Sequence, residues 1–345
     1  MKTEAALLVE PGAPLVIDEI QIPDLNPGQV LIDITYSGAC HTQVLEARGY
    51  RGEDPWCPHC LGHEAVGFVS QISEGVRKVA VGDEVVLTWL KGVGADIGGA
   101  QYGWRGQTVN AGGVTTFSRK SIVSENRLLV KPANLDAELA VLLGCAAPTG
   151  FGSVMNVCNV SRDQSLIVFG AGGIGLCAIA AASYLGCNPI VAVDILPNKI
   201  ELARQFGATH VINTTNQDLF ETLHRLTPRG VDFAVEATGK PDVMLQAISS
   251  VRSQGGKAVV IGNAKKGELI NIDPQLFNQG KSLLGCWGGN SHPDRDIEKF
   301  TEVIQAKKNI LTTLFSTPYK LDDINKALND LENGKIGRPI IDMAL

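Results

Sequence analysis

The sequence predicts a two-domain α/β protein in which a doubly wound, six-stranded parallel sheet follows a mostly β domain. Three observations predict it. A strand, a glycine turn and a helix stand in immediate succession at 165–185. From there to about residue 286, short apolar runs alternate with helical stretches, the pattern that builds a parallel sheet. Before it, strand-like runs follow one another with Pro-Gly and Gly-Asp turns between them and little helix. The chain's 345 residues leave room for a sizeable core in each domain.

In order, Leu7-Leu8-Val9, Leu15-Val16-Ile17, Val30–Ile34, Ala65–Val69 and Glu84–Leu87 read as strands, with turns at Pro11-Gly12, Pro27-Gly28 and Gly82-Asp83. Thr88 to Ser118 is rich in glycine, carries little strand or helix pattern, and reads as a loop beside the site. Asp136–Leu143 reads as a short helix. Strand candidates then recur at 165–169, 190–194, 210–212, 231–236, 257–261 and 282–286, six in all, as two mononucleotide-binding halves require. Asp296–Ala306 and Leu321–Leu331 return to helix, and Arg338–Ile341 closes the chain as a strand.

The glycine turn is the first feature with chemistry in it. Ser165–Phe169 suits a buried parallel strand, and the Ala-rich run to Leu185 suits a helix. Between them, Gly170 permits a tight turn, Gly172 lets backbone approach phosphates, and Gly175 lets helix and strand pack closely. Gly173 and Ile174 complete a helix N-terminus that faces an anion. About twenty residues on, Pro189–Val193 ends in Asp194, where a ribose 2′-hydroxyl needs an acceptor. A carboxylate there repels a 2′-phosphate, so the expected cofactor is NAD and not NADP.

Composition narrows the partners. The net charge is −6 and the pI about 5.6, with no basic run, which points away from nucleic acid and anionic membranes and toward a small diffusible substrate. The N-terminus lacks the pattern of a signal peptide, and no stretch is long enough to cross a bilayer. Eight cysteines, several in apolar runs such as Leu176-Cys177-Ala178, read as reduced thiols, so the expected compartment is the cytoplasm.

Three separated patches carry metal donors: Gly38-Ala39-Cys40-His41-Thr42, Leu61-Gly62-His63-Glu64 and Leu143-Gly144-Cys145. Two thiolates and one imidazole make a three-ligand zinc site with a fourth position open for water or substrate. With these patches, Val81-Gly82-Asp83-Glu84-Val85 and the 170–175 turn in this order, nearly the whole chain resembles the zinc-dependent medium-chain alcohol dehydrogenases. The resemblance implies a GroES-like catalytic domain from 1–147 and 287–345 and a Rossmann NAD-binding domain over 148–286. It implies Cys40, His63 and Cys145 as ligands of a catalytic zinc, Glu64 behind the metal as an exchanging ligand, and Thr42 at the substrate oxygen. His41 and Arg338 would contact the cofactor pyrophosphate, Thr149 the nicotinamide and Lys199 the adenosine ribose. A homo-oligomer, taken as a dimer, is implied as well.

The chain also departs from the family pattern. Thr88 to Lys120 holds no cysteine, so the four-cysteine structural zinc of many relatives is expected to be absent. Gln43 stands where relatives usually place an aspartate that orients the histidine ligand; its carbonyl is expected to accept the imidazole N–H. Leu45 replaces a histidine that finishes a proton relay in several relatives, and Cys57, His59 and Cys60 form a cluster better read as packing than as a second metal site. Wording such as Val114-Thr115-Thr116-Phe117 is similar to glutathione-dependent formaldehyde dehydrogenase, without the loop that carries its adduct-binding arginine. That enzyme's substrate is therefore not assigned; because the shortened glycine-rich loop opens the cleft, a sugar, cyclitol or other polyol derivative is the expected substrate class, with simple alcohols, or a non-catalytic NAD-binding role, as alternatives.

Overall fold

The computed structural model describes residues 1–315 and 317–345. They form two compact units: Met1–Cys145 with His292–Thr301 and Thr312–Leu345, and Ala146–Ser291 with Glu302–Leu311. Residues 302–311, expected with the first domain, group with the second. Apolar Val303, Ile304 and Leu311 are fully buried, Lys308–Leu311 meets the helix Pro197–Phe206, and Lys307 Nζ donates to Ser183 Oγ at 3.0 Å. Residues 146–147 and 287–291 fall in the second unit too, where Ser291 Oγ donates to the Pro148 carbonyl at 2.9 Å.

In the first unit, Lys2–Leu8, Val16–Gln21, Gln101–Trp104, Gln107–Asn110 and His59–Cys60 close into a barrel. A six-stranded sheet runs Leu128–Val130, Glu84–Thr88, Glu64–Ile72, Gln29–Gly38, Ile340–Asp342, with Lys120–Ser124 also paired to Gln29–Gly38. Several strands are buried on both faces, which is why they read as continuous apolar runs. Along Lys2–Leu8, Ala6 and Leu8 enter one hydrophobic cluster with Ile32, Leu87 and Phe117, while Ala5 and Leu7 enter another with Ile20, Tyr102 and Ile122. The two-residue period of a strand sorts neighbours into opposite cores.

Part of the stretch expected as loop is structured. Gln101–Trp104 and Gln107–Asn110 form an antiparallel hairpin, turned by Arg105 (φ 48°) and Gly106 (φ 79°), the paired positive φ values of a type I′ turn. Its pattern hid in the sequence because Gly103 interrupts one strand and Val109 is the only apolar residue of the other. The strands Lys120–Ser124 and Leu128–Val130 are additional to those read from the sequence.

The second unit holds the expected six-stranded sheet. Its order is His210–Asn213, Ile190–Asp194, Leu166–Phe169, Phe233–Glu236, Lys257–Val260, Ser282–Gly285, and every pairing is parallel. The order reverses beside Leu166–Phe169, the first strand, where doubly wound sheets bind ligands. The helix Gly173–Leu185 is buried continuously from Gly175 to Ala182. It therefore shows alanine all round in place of an amphipathic stripe. Among the described residues, no single helix is long and apolar enough to cross a membrane.

The buried Tyr102 ties barrel to sheet, its hydroxyl oxygen accepting the Ile122 backbone N–H at 2.8 Å. Tyr102→Phe removes one oxygen yet leaves a buried donor unpaired. The expected cost is about 1–3 kcal/mol, read as a lower midpoint in urea unfolding followed by circular dichroism; an unchanged midpoint would show that the N–H finds another acceptor.

Candidate metal centre and nucleotide turn

Three chain segments of the first unit bring their donors together. Cys40 follows the strand Gln29–Gly38 and is the N-cap of the helix His41–Ala47; His63 precedes the strand Glu64–Ile72; Cys145 follows the short 3₁₀ turn Val141–Gly144. The approach is close because two of the flanking residues lack a side chain. A Cβ on Gly38 would lie 2.4 Å from Glu64 Oε1, and one on Gly144 would lie 2.7 Å from Glu64 Cβ.

The donor atoms of Cys40, His63 and Cys145 all lie within 4.8 Å of one another. His63 Nε2 stands 3.3 Å from Cys145 Sγ, and the two sulfurs are 4.0 Å apart. Tetrahedral zinc, with bonds of about 2.3 Å to sulfur and 2.0–2.1 Å to nitrogen, sets those edges at about 3.5 and 3.8 Å. The donor set fits zinc. Cys145 donates its S–H to Cys40, which holds the Cys40 thiol well below its ordinary range and Cys145 well above; burial opposes the first shift and adds to the second. Burial alone would lower His63, but the Cys40 sulfur beside it raises it.

Behind these donors, Arg338 Nη2 donates to Glu64 Oε2 at 2.7 Å, and the two side chains are 3% and 0% exposed. Burial raises the Glu64 carboxyl despite the guanidinium opposing it. Glu64 Oε1 makes no hydrogen bond among the described residues, so an acceptor oxygen remains open on the side chain expected to exchange onto the metal. Arg338, expected at the pyrophosphate, gives Nη2 to Glu64, while its Nε makes no hydrogen bond among the described residues.

In the second unit, Gly170 turns at φ +90°, and a Cβ on Gly175 would lie 1.8 Å from the Gly170 carbonyl oxygen. Helix and strand can approach this closely only at glycine. Gly172 is an N-cap without a side-chain hydrogen bond, and a Cβ there would meet no atom within 4 Å. The first N–H groups of Gly173–Leu185 therefore face outward without a side-chain cap, as an anion-binding turn requires. Asp194 braces the turn: Oδ2 accepts Ala171 N–H at 2.8 Å, and Oδ1 accepts Ile195 and Leu196 N–H at 2.8 and 3.0 Å. Lys199 is partly buried in the first turn of the helix Pro197–Phe206. Thr149 is buried on the helix Ala146–Gly152, which packs against Gly173–Leu185 at Gly150 and Cys177.

Comparison with known proteins agrees with both halves. Residues 26–133 match the alcohol dehydrogenase GroES-like domain and residues 173–307 the zinc-binding dehydrogenase domain. An S-(hydroxymethyl)glutathione dehydrogenase of Synechocystis sp. is 32% identical over 99% of this chain and 100% of its own. Alcohol dehydrogenase 2 of Zea mays is 30% identical over 99% and 98%. The crystal structure of benzyl alcohol dehydrogenase from Acinetobacter calcoaceticus superposes with a TM-score of 0.89, at 29% identity and 99% coverage of both chains.

The chain belongs to the zinc-dependent medium-chain alcohol dehydrogenases. As a member of that family it is an NAD-linked oxidoreductase that exchanges a hydride between an alcohol and the corresponding carbonyl, and its substrate is a small molecule.

Around the donors, this dehydrogenase has features that motifs did not reveal. Gln43 holds the site from behind, its Oε1 accepting Cys40 N–H at 2.9 Å and its Nε2 lying 2.5 Å from His63 Nδ1. The amide thus presents its NH₂ to the imidazole, where the sequence suggested its carbonyl. Leu45 is buried, while Thr42 and Glu46, four residues apart, share a face of the helix His41–Ala47. His41 is exposed at the start of that helix. A cavity of about 690 Å³ reaches His63; Glu46, Arg51, Glu53, Asp54 and His59 line one part of its wall, and apolar side chains, Trp56, Leu61 and Val114 among them, line another. The cysteine cluster is rearranged: Cys60 points into the barrel core, and Asp54 joins Cys57 and His59 within 4.8 Å, with His59 Nε2 2.8 Å from Asp54 Oδ2.

The Glu64–Arg338 pair makes a sharp test. Arg338→Met strands a buried carboxylate and is expected to cost about 3–5 kcal/mol, whereas adding Glu64→Gln should recover most of it. Thermal unfolding of the two single variants and the double variant checks this; additive losses would mean that the two groups are not coupled.

Proposed function

We propose that Cys40, His63 and Cys145 hold one catalytic zinc per chain, with no structural zinc, and that the enzyme oxidises a hydroxyl-rich alcohol with NAD. The observation that carries the substrate class is the cavity wall. Glu46, Arg51, Glu53, Asp54 and His59 line the space that reaches His63. Glu46 is held to Arg51 at 2.9 Å, and burial raises its carboxyl against that partner. An apolar alcohol would desolvate these groups further and return no hydrogen bond, whereas a polyol has hydroxyls for them.

Bound zinc supplies the Lewis acidity that lets an alcohol lose its proton near neutral pH. Thr42 would hydrogen-bond the reacting oxygen through its hydroxyl and relay that proton, passing its own hydroxyl hydrogen onward as it takes the substrate's. Because Leu45 cannot carry it onward, the proton leaves by Glu46 on the next turn or by water. Arg338 holds the Glu64 carboxylate in place behind the ligands. His41, the turn Gly170–Gly175 with Gly172, Gly173 and Ile174, Thr149, Asp194 and Lys199 serve NAD. Support for a dimer comes from the strand Ser282–Gly285, which ends its sheet, and from exposed Leu269 and Phe277 in the segment that precedes it in the chain. Support for the cytoplasm as its compartment comes from eight cysteines, several of them buried in apolar runs, as reduced thiols are.

Metal analysis of the purified protein should give one zinc per chain, and Cys40→Ser should lower that content and abolish NADH formation. In an alcohol panel followed by NADH absorbance, polyols should exceed apolar alcohols of similar size by about tenfold or more in kcat/KM, the scale set by unpaired polar groups in a site. Preference for the apolar set would place the substrate among simple alcohols.

Asp194 gives a separate test of the cofactor. A carboxylate offers about four acceptor sites, and three are used by backbone N–H groups, which leaves one on Oδ2 for a ribose hydroxyl. Asp194→Asn puts a donor there, so KM for NAD should rise about 10–100-fold, with discrimination against NADP weakened. Steady-state kinetics with both nucleotides read the change, and an unaltered NAD-to-NADP ratio would exclude Asp194 as the ribose acceptor.

A further inference from the structure

Gln43 joins two groups of the metal centre and is 1% exposed. One is the Cys40 backbone N–H, which has Oε1 as its acceptor at 2.9 Å. The other is His63 Nδ1, 2.5 Å from Gln43 Nε2. With the amide in this orientation, Nδ1 accepts, so the ring hydrogen sits on Nε2 and faces Cys145 Sγ at 3.3 Å. A metal on Nε2 uses the lone pair of that nitrogen, which moves the ring hydrogen to Nδ1. Gln43 then faces two donors, Cys40 N–H and His63 Nδ1–H, and a primary amide has only one oxygen. Turning the amide over changes which donor is satisfied and leaves the other against NH₂.

We propose that Gln43 makes this centre a weak holder of its zinc, because it supplies one acceptor where the metal-bearing arrangement needs two. This rests on the assignment of Cys40, His63 and Cys145 as zinc ligands. A buried donor left unpaired is a cost carried by the metal-bound form alone, so it appears as faster metal loss. The remedy is isosteric. Gln43→Glu keeps the reach and places an oxygen at each of the two positions that the amide nitrogen and oxygen of Gln43 now occupy.

The test loads wild type and Gln43→Glu with zinc and follows its transfer to the chromophoric chelator 4-(2-pyridylazo)resorcinol. Release from Gln43→Glu is expected to be about 10–100-fold slower, the range associated with hydrogen-bond partners of metal ligands. Added negative charge could slow release by itself, so hydrogen exchange at the Cys40 amide supplies the second readout. Zinc loading should speed that exchange in wild type, or else leave His63 Nδ1–H without a hydrogen-bonded downfield proton resonance; in Gln43→Glu both groups should stay bonded. Equal release rates overturn the proposal, and so do two satisfied donors in zinc-loaded wild type. Wild type that binds no zinc overturns the ligand assignment itself, a result distinct from equal release. Should Gln43→Glu fail to fold, the exchange and resonance measurements on zinc-loaded wild type decide the proposal, two satisfied donors overturning it and one unsatisfied donor supporting it.

Discussion

The first unit depends on how closely two chain segments approach the first residue of the strand Glu64–Ile72. Backbone at Gly38 and Gly144 lies so near the Glu64 side chain that a methyl group on either would overlap it. That closeness fixes the spacing of Cys40 and Cys145, because each is only one or two residues beyond its glycine. His63 needs no such device, being the neighbour of Glu64 in the chain. The donor triangle thus follows from strand pairing: Gln29–Gly38 and Glu84–Thr88 both flank Glu64–Ile72, and Val141–Gly144 closes over them, with Thr88 Oγ1 donating to the Gly144 carbonyl at 2.8 Å. Rigid strands hold the donors, as a site that must keep its geometry through turnover requires.

Such burial has an electrostatic cost, and the residues behind the donors show how it is met. Glu64 and Arg338 are each too buried to stand alone as charges, and their pairing offsets desolvation without adding much net stability. Arg338 is nevertheless bound to its place, since its backbone N–H donates to the Leu314 carbonyl at 3.0 Å and it precedes the closing strand Ile340–Asp342. The guanidinium therefore orients the Glu64 carboxylate from the far end of the chain. The same buried region holds the two cysteine sulfurs and an imidazole, all of which Arg338 or Glu64 influences.

Much of this was legible in the sequence where the information is local. Gly170–Gly175 followed by Asp194 specifies a strand, a turn and a helix within thirty residues, and the three metal patches each carry a glycine beside a donor. The six parallel strands were readable because strands buried on both faces are apolar throughout. Pairings across long separations were not readable. Nothing near Arg338 announces Glu64, 274 residues away, as its partner. The hairpin Gln101–Asn110 was missed because a barrel strand with one apolar residue has no visible alternation, although Arg105-Gly106 was a usable turn signal. Gln43 was recognisable as a substitution of note, but its orientation depends on the Cys40 N–H, a backbone group that sequence does not display.

What the motifs leave open is the substrate, and there is a physical reason. Reaction class is carried by atoms that meet a metal and a nucleotide, whose fixed geometries restrict which residues can serve. Substrate choice is carried by the cavity wall, where many residues can make equivalent contacts and no spacing is imposed. In this chain the wall comes from Glu46 to His59 and from the hairpin and its flanks, Gly99 to Thr115. These are irregular segments except where the barrel strands pass through them. Four of the five charged or titratable residues named there are acidic or imidazole, and Arg51 is already engaged with Glu46. Glu46 is paired with Arg51 and Asp54 with His59; a ligand with hydrogen-bond donors can still bond their remaining lone pairs, whereas a hydrocarbon tail dehydrates them and returns nothing. Selectivity that arises from many wall contacts of this kind needs no single residue that could be recognised as a motif.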